Sequence, residues 1–402
     1  MALIVQKFGG SSVADAERVM NVANRVVETV QEGNRVVVVV SAQGDTTDDL
    51  IEKANEINPE ASKREMDMLL SSGEQISIAL LAMAIEKLKC SVISLTGWQA
   101  GFATNATSGN ARISKIHTER ILAELDKHSV VVVAGFQGLN KYDDITTLGR
   151  GGSDTSAVAL AAALNAAKCE IYTDVDGVYT ADPRIVPNAV KLDEITYDEM
   201  LELASLGANV LHNRSVEMAK KYNVELEVKS SFHKVPGTMV KEVTNMERML
   251  IRGVTRDNDV ARIAVIGVED MPGVAFKIFS VLAKADINVD MILQSIGHNG
   301  TKDIVFTVTK AHMKETLSII EGLKDTLHYQ EINCRDDLSK VSIVGAGMVH
   351  NAGVASQMFE ALYAAQINIH MISTSEIKVS VLINVNNAER AVAVIHDQFF
   401  GK

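Results

Sequence analysis

The stretch ALIVQKFGGSSVADAERVMNVANRVVETVQ (Ala2–Gln31) decides the reading of the fold. Ala2 to Gln6 is apolar on both faces and predicts a strand. Lys7-Phe8-Gly9-Gly10-Ser11-Ser12 breaks that pattern. From Val13 to Gln31, Val19, Val22, Val26, Val27 and Val30 then recur at the spacing of a helix face. A strand buried on both faces belongs in a sheet covered by helices on both sides. The glycines after it let backbone approach an anion, the helix N-terminus offers free N–H groups, and Lys7 adds a full positive charge.

The same alternation continues to about Val240. Strands are predicted at Arg35 to Val40, Ser91 to Leu95, Ser129 to Ala134 and Glu170 to Thr173, with an Ala-, Val- and Leu-rich helix from Ser153 to Ala167. Strand and helix in turn give a three-layer α/β/α sandwich with a mainly parallel sheet. Beyond it lies an internal repeat at a constant offset of 80 residues. Gly273-Val274-Ala275 matches Gly353-Val354-Ala355, and Phe279 and Leu282 match Phe359 and Leu362. Ala285-Asp286-Ile287-Asn288-Val289 matches Ala365-Gln366-Ile367-Asn368-Ile369, and Met291-Ile292 matches Met371-Ile372. Each copy reads strand, glycine turn, amphipathic helix, strand; the first strands are Arg262 to Val268 and Lys340 to Ala346, and the Ile-Asn-Val/Ile run starts the next. Two copies make a duplicated α+β domain, so 402 residues divide into three domains. The stretch from Lys229 through Pro236-Gly237 to Met246 is the predicted boundary.

Composition narrows the partners. Formal charge is 39 − 51 = −12 and only 4% of residues are aromatic, so the chain has neither the basic footprint nor the stacking platforms of a nucleic-acid binder. Cys90, Cys169 and Cys334 lie far apart without CxxC spacing, which argues against disulfides and thiolate metal sites and for a reducing cytoplasm. The apolar start ends at Lys7, short of a signal peptide, and no later stretch reads as long enough to span a bilayer.

Two further glycine-bearing stretches fit phosphate chemistry. Gly149-Arg150-Gly151-Gly152-Ser153-Asp154 opens the Ala-rich helix, a flexible cradle around a bidentate donor. Ser153 and Asp154 suit helix capping equally well, although an Asp beside a phosphate cradle is also what Mg²⁺ needs. In Tyr172-Thr173-Asp174-Val175-Asp176-Gly177-Val178-Tyr179-Thr180-Ala181-Asp182-Pro183-Arg184, Asp176-Gly177 is a hairpin signal. A turn alone does not account for a Tyr, an Arg and two further acids at the carboxyl end of a parallel strand, where open α/β sheets bind ligands. Ser41 to Asp49 is a polar loop at a strand end, and Ser71-Ser72-Gly73-Glu74 lies inside a helical stretch, where a lone carboxylate usually solvates or caps. No GxxxxGK[ST], HRD, DFG or HExxH occurs, and Gly345-Ala-Gly347-Met-Val-His350 lacks the third glycine of a dinucleotide loop.

Taken together, these loops resemble the aspartate kinase family within the amino-acid kinase fold. The matching segments are KFGGSSV (Lys7 to Val13), SAQGDTTD (Ser41 to Asp48), SSGE ending at Glu74, LTGWQAG (Leu95 to Gly101), TLGRGGSD (Thr147 to Asp154) and YTDVDGVYTADPR (Tyr172 to Arg184). The duplicated region resembles that family's paired, ferredoxin-like ACT domains. The resemblance implies a catalytic domain at 1–240, one ACT domain at 259–336, and a second formed by 246–258 with 337–402. It implies phosphoryl transfer from MgATP to the side-chain carboxylate of L-aspartate, with lysine, threonine or both as feedback effectors. Lys7 would contact the transferred phosphoryl group and Asp154 would organise Lys7 and the metal. Phe8, Gly9, Gly10, Ser11, Thr173, Asp174, Tyr179, Arg184 and Asn209 would hold the nucleotide, Asn209 standing in a segment where the family often carries Lys. Ser41, Thr47, Glu74, Arg150 and Ser153 would hold aspartate, with Glu74 reading its α-ammonium. An effector site would join Met271, Gly273, Val274, Ala275, Asn288, Val289, Asp290 and Gln294 to Asn368 and Ile369 of the other repeat. A short strand near Met249 to Val254 would complete the second ACT unit. The resemblance further implies a homodimer through the ACT domains, or an oligomer with a regulatory subunit started at Met246. Other amino-acid kinases, acting on glutamate or acetylglutamate, and a catalytically silent sensor are the alternative readings.

Overall fold

The computed structural model describes residues 2–208, 210–243, 249–296 and 300–401. The chain divides into two units, Met1–Thr180 with Val190–Glu247, and Ala181–Ala189 with Arg248–Lys402.

The first unit's main sheet has eight strands: Leu3–Phe8 (β1), Arg35–Val40 (β2), Val92–Leu95 (β3), Val130–Ala134 (β4), Lys168–Thr173 (β5), Glu194–Thr196 (β6), Leu226–Ser230 (β7) and Thr238–Lys241 (β8). Their order is β6-β8-β7-β5-β1-β2-β4-β3, parallel throughout except for β7 against β8. β1 is therefore central, and the chain first builds outward on its β2 side before returning to its β5 side. Alternation sends Val36, Val38, Val40, Val130 and Val132 into a core with Ala16–Gln31 (α1) and Lys63–Lys87 (α3), which follows Thr46–Ile57 (α2). On the opposite face Gly152–Ala163 (α4) packs against β1, β2 and β5 and is itself covered by Asn213–Tyr222 (α6), which follows Tyr197–Ser205 (α5). That double burial explains why α4 is apolar nearly all round. The three layers match the sequence expectation.

Several boundaries differ from it, each for a local reason. α1 begins at Ala16 rather than Val13, because the Asp15 carboxylate accepts from the Arg18 N–H at 2.9 Å and Gly10–Val13 forms a separate 3₁₀ turn. α4 stops at Ala163, short of Ala167, and Asn165 takes φ +48°. Asp176-Gly177 makes no hairpin: Val178 and Thr180 pair instead with Leu192 and Val190, so the chain between them leaves and returns as an excursion. Pro236-Gly237 is no interdomain linker, since it joins β7 to β8 inside the first unit's sheet. α3 is long and apolar enough to cross a membrane by length and composition, contrary to expectation, yet Asp67, Ser71, Glu74 and Ser77 on it are buried within the unit.

The second unit carries both repeats in one sheet. Its strands are Gly253–Glu269 (β9), Ile292–Ile296 (β10), Thr301–Val308 (β11), Glu331–Val344 (β12), Met371–Thr374 (β13) and Lys378–Asn384 (β14), ordered β10-β11-β9-β12-β14-β13. β9 and β12 each serve both copies. Gly253 to Asp257 pairs with the second copy's stretch of β12, and Arg262 to Ile266 with the first copy's stretch. One copy is thus nested in the other, though through a single long strand; Met249 to Arg252 lies outside it. Val274–Lys284 (α7) and Met313–Glu321 (α8) cover one core, and Val354–Ala364 (α9) and Ala388–Phe400 (α10) the other. The repeat is conformational as well: Gly273 and Gly353 have φ +91° and +93°, and Asp286 and Gln366 +58° and +55°. Those turns keep Ile287 to Asp290 and Ile367 to Ile369 in loops, so the Ile-Asn runs precede the strands instead of starting them. The excursion Ala181–Ala189 belongs here too, with Ala181 and Val186 buried in the second repeat's core.

Two glycines of similar φ separate conformational strain from overpacking. A Cβ on Gly353 meets nothing within 4 Å, whereas one on Gly101 (φ +87°) would lie 2.1 Å from the His117 carbonyl oxygen. Gly353→Ala should lower the local stability of its unit by about 1 kcal/mol, and Gly101→Ala by more than about 2 kcal/mol. Hydrogen exchange resolved by unit reads both, and equal losses would contradict the ranking.

Candidate active site

Ligand crevices in open parallel sheets form where the strand order reverses, outside the carboxyl ends. Here that point lies between β1 and β5. The Gly9 N–H donates to the Tyr172 carbonyl at 3.4 Å across it, and Phe8 stacks on Tyr172 with ring centroids 4.4 Å apart beneath it. On the β2 side the Ser41 N–H donates to the Phe8 carbonyl at 3.2 Å and the Gly44 N–H to the Gly10 carbonyl at 3.0 Å. This lacing requires glycine at position 10, where a Cβ would sit 2.7 Å from the Ala42 carbonyl oxygen.

Lys7, the penultimate residue of β1, places its Nζ 2.6 Å from Asp154 Oδ1, both side chains nearly buried. Asp154 stands in the first turn of α4, where the helix dipole favours a carboxylate. The glycines around Arg150 serve close approach: Gly151 (φ +68°) lies against the His212 ring, which a Cβ would meet at 2.2 Å, and Gly152 against Phe136 and Leu148. Ser153 is buried against Gly135, and Arg150 is exposed. Thr47 stands in the first turn of α2.

Glu74, which taken alone reads as a solvated or capping carboxylate and which the family resemblance assigns to the substrate's α-ammonium, is 3% exposed in the middle of α3. One oxygen accepts from the Ala42 N–H at 3.0 Å and the other has no partner among the described residues. Burial pushes its carboxyl up from 4.5 to about 7, against the pull of that hydrogen bond. A half-satisfied buried carboxylate next to the Ser41–Gly44 loop is built to receive a cation or donor.

At the end of β5 the Thr173 hydroxyl donates to Asp174 at 3.0 Å, and Tyr179 is half-buried, its phenol raised by burial. Arg184 is not brought into this unit: it belongs to the excursion and pairs with Asp182 at 2.7 Å. Asn209 lies outside the described residues, as does Met246. Sequence reading passed over Phe136, whose φ of +69° marks a strained position against Gly152, and the buried Asp67 and part-buried Arg214 behind the Arg150 loop. The strain leaves no trace in composition; the two charges were visible only as charges on helices.

In the second unit Asn288, Asp290, Gln294 and Asn368 are exposed, while Val289 and Ile369 pack into their cores. Met271 is exposed, and Gly273 precedes α7, with Val274 buried and Ala275 exposed. Met291 and Met371 share a small buried cluster with Val260 and Leu338, which draws the two Ile-Asn loops toward one patch. Asp290 accepts from Lys340 Nζ at 2.5 Å, an ammonium only 6% exposed that also lies 3.6 Å from Asp257. Asp290 is therefore already partnered by a cation of this chain.

Comparison with known proteins agrees with this division. Residues 2–230 match the amino acid kinase family, and 262–325 and 341–399 each match an ACT domain. The chain is 52% identical over 400 residues to aspartokinase of Bacillus sp. (strain MGA3), covering 99% of this chain and 97% of that protein. Among solved structures it resembles E. coli aspartokinase III in complex with aspartate and ADP (R-state), with TM-score 0.85 and 25% identity over 99% of this chain and 100% of the other. It also resembles the same enzyme in complex with lysine and aspartate (T-state), with TM-score 0.76 and 26% identity over 99% of each chain.

Glu74 gives a sharp test of the site's electrostatics. Its folded-state pKa lies above the unfolded one, so its contribution to stability is fully present below about 4.5 and lost as pH rises through about 7. Relative to Glu74→Gln, the native protein should lose on the order of 3 kcal/mol across that window. Denaturant titrations from pH 4 to 8 check this, and parallel curves for the two proteins would show an ordinary carboxylate.

Proposed function

The chain belongs to the aspartokinase family, within the amino acid kinase family, and on that premise we propose that it transfers the γ-phosphoryl group of ATP to the side-chain carboxylate of L-aspartate, giving 4-phospho-L-aspartate. The observation that carries this reading is the Lys7–Asp154 pair, at the carboxyl end of the central strand between two glycine loops. The family's activity is ATP-dependent aspartate kinase, and its ACT domains are regulatory.

The chemistry asks little proton management of the protein. A carboxylate is already ionised at pH 7, so one of its oxygens attacks the γ-phosphorus while the bond to the β,γ-bridging oxygen breaks, and no general base is needed. What remains is to hold two anions in line and neutralise their repulsion. Lys7 faces the transferred group with its position fixed by Asp154, and the N–H groups around Gly9, Gly10 and Ser11 cradle phosphate oxygens beside Phe8. Thr173, Asp174, Tyr179 and Asn209 hold the rest of the nucleotide. For aspartate, Arg150 takes a carboxylate, Ser41, Thr47 and Ser153 supply hydroxyls, and Glu74 takes the α-ammonium. The buried, half-satisfied Glu74 suits that role, because an arriving ammonium supplies the missing partner and returns the carboxyl to its ionised form.

Mg²⁺ fits as an ion carried on the nucleotide. Among the described residues no cluster of three or more His, Cys, Asp or Glu side chains could hold a metal, and Mg²⁺ bound to phosphates asks only one or two carboxylates, here Asp154 and Asp174. Bound there, the ion would offset phosphate charge. Lysine, threonine or both are the proposed effectors, taken by Met271 to Ala275, Asn288 to Asp290, Gln294 and the Asn368-Ile369 loop. The protein is read as cytoplasmic and homo-oligomeric, as a dimer through the ACT domains or with a regulatory subunit started at Met246, without nucleic-acid or membrane partners.

Lys7→Ala should lower kcat by at least about a hundredfold while changing the aspartate KM by only a few-fold, since its charge matters most in the transition state. An unchanged kcat would remove Lys7 from the chemistry. Trapping the acyl phosphate with hydroxylamine, with aspartate and glutamate in parallel and lysine or threonine added, tests substrate and effector together. The aspartate KM should rise up to tenfold per pH unit below about 7, and this dependence should vanish in Glu74→Gln.

A further inference from the structure

One buried and one part-buried charged group take no part in the chemistry above. Asp67 of α3 is 0% exposed; it accepts from the Thr147 hydroxyl at 2.6 Å and from the Gly109 N–H at 2.9 and 3.0 Å. Arg214 of α6 donates from one nitrogen to the Leu148 carbonyl at 2.6 Å and Asn110 Oδ1 at 3.3 Å, and from the other to the Ala111 carbonyl at 3.0 Å. Between these two anchors the Ala111 N–H donates to the Thr147 carbonyl at 2.8 Å. The segments 109–111 and 147–148 are thus sewn together, with a carboxylate at one end and a guanidinium fork at the other.

The residues that follow are Gly149, Arg150 and Gly151, and both glycines have positive φ, +76° and +68°. A loop of that composition does not hold an arginine in place through its own backbone preferences. Its placement has to come from outside, and Asp67 and Arg214 fix the residues immediately before it. Burying a charge without an opposite charge costs several kcal/mol before hydrogen bonds offset it, and burial does push the Asp67 carboxyl up and the Arg214 guanidinium down. An apolar pair would serve stability as well; what it would not supply is directed bonds to five backbone and side-chain groups of two segments.

We propose that Asp67 and Arg214 are positioning residues that aim Arg150 at a carboxylate of the amino-acid substrate. The proposal rests on the assignment of Arg150 to aspartate made above, and it deepens that assignment by naming what sets the arginine's place. Asp67→Asn keeps the shape but replaces one of the two oxygens that share the Gly109 N–H by an amide donor and removes the charge; Arg214→Lys keeps the charge but loses the fork.

The experiment is a cycle on the full chain, reading the aspartate and ATP KM values separately in the hydroxylamine assay. Asp67→Asn and Arg214→Lys should each raise the aspartate KM at least tenfold and leave the ATP KM within about twofold. In an Arg150→Ala background the same changes should add less than twofold, because the group they position is gone. Thr147→Val, which removes one bond to Asp67, should act in the same direction more weakly and covers the case that Asp67→Asn does not fold. An unchanged aspartate KM, an equal rise in both KM values, or an undiminished effect in the Arg150→Ala background would overturn the proposal. Failure of the parent protein to phosphorylate aspartate would instead overturn the function on which it rests.

Discussion

The ion pair between Lys7 and Asp154, 2.6 Å long and nearly dry, ties the end of the central strand to the first turn of the helix lying on it. Removing either partner would strand the other's charge in a poorly solvated place, at a cost of about 3–5 kcal/mol. The pair exists only because three things coincide. β1 is central in a parallel sheet, so its carboxyl end opens on the reversal of strand order. α4 starts beside that end, and the glycines at 10, 151 and 152 let neighbouring backbone and side chains close in. The crevice then has a fixed cation, two helix or loop N-termini and a set of N–H groups, all directed at one kind of ligand.

The chain as a whole is acidic, with formal charge −12, and the site it builds attracts anions. Positive charge is spent locally, on Lys7 and Arg150 in their glycine loops. Negative charge inside the unit is treated differently: Glu170 accepts from Gln6, Tyr172 and two lysines beneath the sheet, and Asp67 is fully bonded. Of these three carboxylates, Glu74 keeps an oxygen without a partner among the described residues. Satisfied buried carboxylates hold structure, and the half-satisfied one lies against the Ser41–Gly44 loop.

Local pattern was enough for much of the fold. The runs of valine in β2 and β4 read as doubly buried strands because that is what they are, and the offset of 80 survives in structure as matching helices and matching left-handed turns. The glycine loops at the crevice were legible because glycine, lysine and a strand end lie close in sequence. What was not legible was set by distance along the chain. Glu74 meets Ala42 and Asp67 meets Thr147 across 32 and 80 residues, and the spacing around either acid does not show that it is buried. Asp176-Gly177 carries a hairpin signal that loses to pairing between Val178–Thr180 and Val190–Leu192. The nine residues so released, Ala181–Ala189, contain the Arg that sequence placed with the nucleotide.

That excursion makes the order of the chain differ from the order of its parts. The second repeat's core draws Ala181, Ile185, Val186 and Ala189 from a point some 60 residues before the rest of its unit begins. A polypeptide started at Met246 would carry every strand and helix of the regulatory sheet and still lack those four side chains. It would complete its core only by repacking or by borrowing the same segment from a full-length chain. Cutting the gene at the apparent domain border therefore does not cut the protein there.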